Sequence, residues 1–156
     1  MENNDILRRI RYSFNFSDSK MAAIFELAGF TANRAQIRAW LKKDIDPEWK
    51  ELPDNLLATF LNGLIILNRG KKDRSPLVAE NRLNNNIIFR KLRIALNLKD
   101  DEVLQLLNLA GLQISKHELS AFFRNPNQSQ YRECKDQVLR NFLRGIQLKY
   151  GENKIA

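Results

Sequence analysis

The chain has 156 residues, 44% hydrophobic and 28% charged, with a formal net charge of +8 at pH 7. Enough apolar side chain is present for one ordinary domain or two small ones, and four Pro with six Gly exclude a low-complexity or mostly disordered chain. No apolar run reaches ~18 residues, "MENNDILRRIRYSF" lacks the basic-then-apolar order of a secretory signal, and the single Cys134 cannot close an internal disulfide, so the expectation is a cytoplasmic protein without a membrane span.

The elements read as helices from the first residues onward. Asn3 is a good N-cap, and Ile6, Leu7, Ile10 and Phe14 follow at helical spacing. Asp18 opens a second helix with Met21, Ile24, Phe25 and Ala28 on one face, and Gly29 stops it as a C′ glycine. A third helix begins at Asn33, where Asn33-x-x-Gln36 fits a capping box, and turns Ile37, Trp40 and Leu41 inward. After a loop broken by Pro47, a fourth helix runs from about Asp54 to Leu67 with Leu57, Phe60, Leu61 and Leu64 inward. Gly63 sits inside it, where a glycine costs ~1 kcal/mol relative to alanine, so a close helix–helix contact is expected there.

The segment "RGKKDRSPLVAENRLN", residues 69–84, is basic and polar and reads as a linker. Beyond it the same unit begins again. At an offset of 82 residues, Asn3-Asn4 meets Asn85-Asn86, Asp18 meets Asp100, and Leu27-Ala28-Gly29 meets Leu109-Ala110-Gly111. Asp54 meets Asp136, Phe60-Leu61 meets Phe142-Leu143, and Gly63 meets Gly145, with no gap across the unit. Ser115-x-x-Glu118 repeats the capping box, Pro126 breaks the loop, and Leu119, Phe122 and Phe123 repeat the inner face. The fold class is therefore all-α: two tandem four-helix units, 1–68 and 85–150, joined by the linker and followed by a tail, 151–156.

The layout resembles the YehS-like family of small bacterial proteins, built from two copies of a domain of unknown function. The residues that carry the resemblance are "LRRIRYSFNFSDSKM", "LAGFTANRAQIRAWLKK" and "LLATFLNGLI" in the first unit. In the second they are "NNNIIFRKLRIALNLKDDE", "LAGLQISKHELSAFFR" and "YRECKDQVLRNFLRG". The resemblance covers almost the whole chain. It implies a cytoplasmic bacterial protein, and it brings no activity and no catalytic residues with it.

Enzyme chemistry finds little to stand on. Cys134 and His117 are the one cysteine and the one histidine, and the first unit has Leu52 and Ala35 in their places. They read as a buried thiol and a solvent-facing imidazole rather than a nucleophile and its base. No Cys/His spacing fits zinc, and no glycine-rich loop fits a phosphate. The expectation is a protein that is not an enzyme and needs no metal and no cofactor. Glu51, Asp54, Glu133 and Asp136 offer either acid–base pairs or first-turn charges suited to a helix N-terminus. The second reading is preferred, with Asp54 facing Arg11 and Asp136 facing Arg93 as structural charge pairs.

Charge distribution is more informative. Residues 1–68 hold nine basic and nine acidic side chains, residues 69–84 five and two, and residues 85–150 eleven and six. The excess lies in the linker and second unit, where Arg140 and Arg144 replace Ala58 and Asn62. A nucleic-acid face built from Lys71, Lys72, Arg74, Arg90, Lys91, Arg140 and Arg144 is the favoured reading, although a merely solvated basic surface fits equally well. A helix-turn-helix between the second and third helices would offer Arg34, Gln36, Arg38 and Lys42, or Lys116, Ser120 and Arg124. Its turn, eight residues from Gly29 to Ile37, is long for that motif. The alternative is a protein-binding adaptor with a groove between the units, in which Trp49 and Tyr131 serve as exposed anchors or, preferably, as lids on the core. A contiguous basic face would favour nucleic acid, and an exposed apolar groove a protein partner.

Overall fold

The structure is a computed structural model that describes residues 1–70 and 77–151. Among these residues there are eight helices and no strand: α1 (Asn3–Phe14), α2 (Asp18–Leu27), α3 (Arg34–Leu41), α4 (Asp54–Arg69), α5 (Asn85–Ala95), α6 (Asp100–Leu109), α7 (Lys116–Phe122) and α8 (Asp136–Tyr150).

Local sequence signals set most boundaries. At α3 the Asn33 side chain accepts from the Gln36 N–H at 2.8 Å, and Gln36 Oε1 accepts from the Asn33 N–H at 3.0 Å. Ser115 and Glu118 repeat the exchange at 3.0 and 3.1 Å. Gly29 and Gly111 have φ of +90° and +88° and stop α2 and α6 where an L side chain would be strained.

The first helix of each unit departs from expectation by one residue. Its N-caps are Glu2 and Asn84, not Asn3 and Asn85. The reason is that the two asparagines have other partners. Asn3 Nδ2 donates to the Leu52 carbonyl at 3.0 Å and to Asp54 at 2.7 Å. Asn85 does the same with Cys134 and Asp136. Their neighbours go deeper. Buried Asn4 donates to the Trp40 and Lys50 carbonyls and accepts from the Leu52 N–H, and Asn86 repeats this with Phe122, Arg132 and Cys134. One amide thus satisfies three backbone groups: a carbonyl of the third helix of its unit, and a carbonyl and an N–H of the irregular loop before the fourth.

Gly63 and Gly145 explain their place inside helices. A Cβ at Gly63 would stand 1.9 Å from the Ile24 carbonyl oxygen, and one at Gly145 would stand 2.0 Å from that of Leu106. Backbone meets backbone where α4 crosses α2 and where α8 crosses α6.

The two units share one core. Ile6, Leu7, Phe25 and Phe60 of the first and Phe89, Leu92, Leu107 and Phe142 of the second belong to a single buried cluster. The centre is a ring of four helices in which α1 packs on α4 and α8, and α5 packs on α8 and α4; α2 backs α4, and α6 backs α8. Each unit therefore lays its first helix on the last helix of the other. Under the 82-residue offset, the α1–α8 and α5–α4 interfaces are the same interface written twice.

Candidate functional site

The matched interfaces differ in charge. In the α4–α5 interface, Lys91 is buried; its Nζ lies 2.5 Å from Asn62 Oδ1 and 3.0 Å from a carboxylate oxygen of Glu80. The ammonium is hydrogen-bonded and neutralised inside the molecule. Lys91 is thus not part of an anion-binding surface, contrary to its place in the basic face expected from sequence, because burial and the Glu80 carboxylate withhold it from any ligand.

In the α1–α8 interface the same positions hold Arg9 for Lys91, Arg144 for Asn62 and Arg140 for Ala58. Partial burial, then the nearby charges of Arg140, Arg144 and Arg8, push the Arg9 guanidinium below its ordinary pKa. Arg140 and Arg144 are exposed. Among the described residues no carboxylate stands within ion-pair distance of Arg9, Arg140 or Arg144. Arg8 is different: it pairs with Asp5 and donates to the Lys42 carbonyl at 2.6 Å. Asp5, Arg8, Arg9, Tyr12, Arg144 and Gln147 line an open groove of about 470 Å³ along this seam.

The other residues expected at the face distribute differently. Arg90 is exposed on α5 but does not line the groove. Lys71, Lys72 and Arg74 lie outside the described residues. Sequence reading missed Arg8 and Arg9, because the first unit is electrically neutral as a whole. Their signal was the substitution of Asn62 by Arg144, legible only once α1 is known to lie on α8.

The charge pairs also need correction. Arg11 pairs with Asp18 at 3.7 Å and Arg93 with Asp100, not with Asp54 and Asp136. Asp54 accepts from Asn3 and from the N–H of Leu83, in the linker, at 2.8 Å. Asp136 accepts from Asn85 and, across the units, from the Met1 amino group at 3.0 Å. The Asn85 hydrogen bond, then the amino group, hold the Asp136 carboxyl below the usual range. Asp136 thus ties the second unit to the start of the first, and Asp54 ties the first unit to the end of the linker.

The side chains that a helix-turn-helix would present are largely engaged. Gln36 closes its capping box, Arg38 meets Asp18 at 3.2 Å, Lys42 meets Glu48 at 2.9 Å, and Ser120 donates to the His117 carbonyl. Cys134 is buried, and burial pushes its thiol up to about 12, while His117 is exposed on α7. Trp49 and Tyr131 are half-buried. Among the described residues no group of three His, Cys, Asp or Glu side chains is placed to hold a metal ion, and no helix is long and apolar enough to cross a membrane.

Comparison with known proteins agrees with the duplicated architecture. A family model described as "Protein of unknown function (DUF1456)" matches twice, over residues 3–70 and 85–151. "Uncharacterized protein YehS" of Escherichia coli (strain K12) is 42% identical over 147 residues, covering 94% of each chain. No solved structure matches. Two matches to one model, one per helical unit, place the chain in the DUF1456 family as a tandem pair of its domain.

Proposed function

We propose that this protein is a non-enzymatic nucleic-acid-binding protein whose phosphate-binding surface is the α1–α8 seam, with Arg9, Arg140 and Arg144 as the principal contacts. The observation that carries the reading is the difference between the two copies of one interface. A duplication supplies both with the same helices. One copy neutralises its cation with Asn62 and Glu80; the other gathers arginines without carboxylate partners. Clustered guanidiniums repel one another, and an anion with regularly spaced charges relieves that repulsion. Arginine also suits phosphate through its planar donor fork.

The adaptor reading has less behind it. The large apolar side chains left exposed, among them Ile45, Val78 and Leu109, do not line the α1–α8 groove, whose walls are mainly charged and polar side chains.

The test is a fluorescence-anisotropy titration with duplex DNA, single-stranded RNA and structured RNA at low and near-physiological salt. Arg140→Glu combined with Arg144→Glu is expected to weaken binding at least tenfold, while Arg34→Glu, on exposed α3, changes it little. The matched first-unit positions cannot serve as controls, because Ala58 and Asn62 are buried. Loss of all binding at physiological salt, alike for the three ligands, would reduce the seam to a generic basic surface.

A further inference from the structure

Resting on that reading, we infer that the α1–α8 groove takes a single strand of nucleic acid, with Tyr12 as the platform on which a base stacks. Tyr12 is 60% exposed and lines the groove beside Arg9 and Arg144. On α1 it follows Arg8 by four residues and Arg9 by three, so all three share one helical face. On α8, Arg144 and Gln147, three residues apart, line the facing wall, and Arg140 stands one turn before Arg144 on the same face. The groove therefore has cations for a backbone, a ring for a base, and in Gln147 an amide that both donates and accepts. This is the combination by which single strands are held: a positive groove that tracks phosphates, with aromatic rings between.

The other interface supports the assignment by contrast. At the positions of Tyr12, Gln147 and Asp5 it carries Ile94, Ile65 and Ile87. The aromatic ring, the amide and the arginines Arg9, Arg140 and Arg144 thus occur together on one seam and are all replaced on the other. The shape of the site points the same way. The groove is open rather than enclosed, as a strand that runs through it requires. A duplex keeps its base faces stacked inside and offers nothing for Tyr12 to receive.

The experiment compares Tyr12→Ala, Tyr12→Phe and the double variant Arg140→Gln/Arg144→Gln with the parent chain. Each is titrated into the same labelled sequence as single-stranded RNA, single-stranded DNA and duplex DNA, with circular dichroism to verify the fold. Tyr12→Ala is expected to weaken single-strand binding about tenfold without changing its salt dependence, and Tyr12→Phe to keep parental affinity. The arginine variant is expected to weaken binding and flatten the salt dependence. Full binding by Tyr12→Ala, or a duplex bound as tightly as the single strand, would overturn the inference while leaving the phosphate-binding reading standing. Binding unaffected by the arginine variant would overturn both. The RNA and DNA arms identify which strand the groove prefers.

Discussion

Lys91 reaches Asn62 across the α4–α5 interface at 2.5 Å, while the residues in the matching places, Arg9 and Arg144, carry like charges across the α1–α8 interface. The first contact stabilises the fold, and the second opposes it. Asn62→Leu should therefore cost about 1–3 kcal/mol, because it leaves part of a buried ammonium without its acceptor. Arg144→Asn, which installs the first unit's residue in the second, should leave stability unchanged or slightly raised, within about 0.5 kcal/mol, while weakening nucleic-acid binding. Urea denaturation of both variants checks the pair. A marked loss of stability in Arg144→Asn would mean that Arg144 is structural.

The glycines at the helix crossings give a larger effect. Alanine is a better helix former than glycine by ~1 kcal/mol, so on propensity alone Gly63→Ala and Gly145→Ala would stabilise. The added methyl would instead meet carbonyl oxygens of Ile24 and Leu106 at about half of a normal contact distance, and backbone cannot move aside as a side chain can. Each substitution should destabilise by about 3 kcal/mol or more, read as a fall in the urea midpoint.

Asn4 and Asn86 should be equally intolerant. Each is buried and holds a carbonyl of the third helix of its unit together with a carbonyl and an N–H of the loop before the fourth. Asn4→Ala or Asn86→Ala leaves three backbone groups without their partner, at a cost of about 2–4 kcal/mol. Asn4→Asp should be no better, since a carboxylate would face the two carbonyls. Thermal melts of the three variants check this, and hydrogen exchange should show the loop amides Leu52 and Cys134 losing protection.

The helical period, the capping boxes and the glycine stops were legible in the sequence because each is a local rule whose partner lies within a few residues, and the 82-residue repeat because the two copies align residue for residue without a gap. The pairing of α1 with α8 was not. It depends on which surfaces the two units bury against one another, and an apolar face at helical spacing looks alike whether it packs inside its own unit or across to the other. That missing step also explains the errors at the site. Lys91 counts as a basic residue in sequence, yet it is neutralised by Asn62 and Glu80. Arg9 sits in a neutral unit, yet it faces the arginines of the other. Asp54 and Asp136 accept from Leu83 of the linker and Met1 of the other unit, contacts that no spacing within a unit reveals.

Cys134 gives a pH-dependent prediction. Its thiol lies at about 12 in the folded protein against an ordinary 9.0, burial being the main cause. The folded state keeps a proton that the unfolded state releases above pH 9, so stability from this group is complete below about pH 9 and declines as pH rises toward 12. Cys134→Ala should lower stability at neutral pH through the smaller side chain, yet show a shallower decline from pH 9 upward. Urea midpoints of both proteins along an alkaline series give the comparison, and a parallel decline would place the thiol in contact with solvent.

The most direct test of the central claim is the salt dependence of binding to a single-stranded RNA, measured for the parent chain and for Arg140→Gln/Arg144→Gln. The account predicts a steep decline of affinity with salt for the parent, and a slope in log–log form smaller by about 0.7 for each arginine removed. Equal slopes for the two proteins would show that these arginines meet no phosphate, and would contradict the placement of the site on the α1–α8 seam.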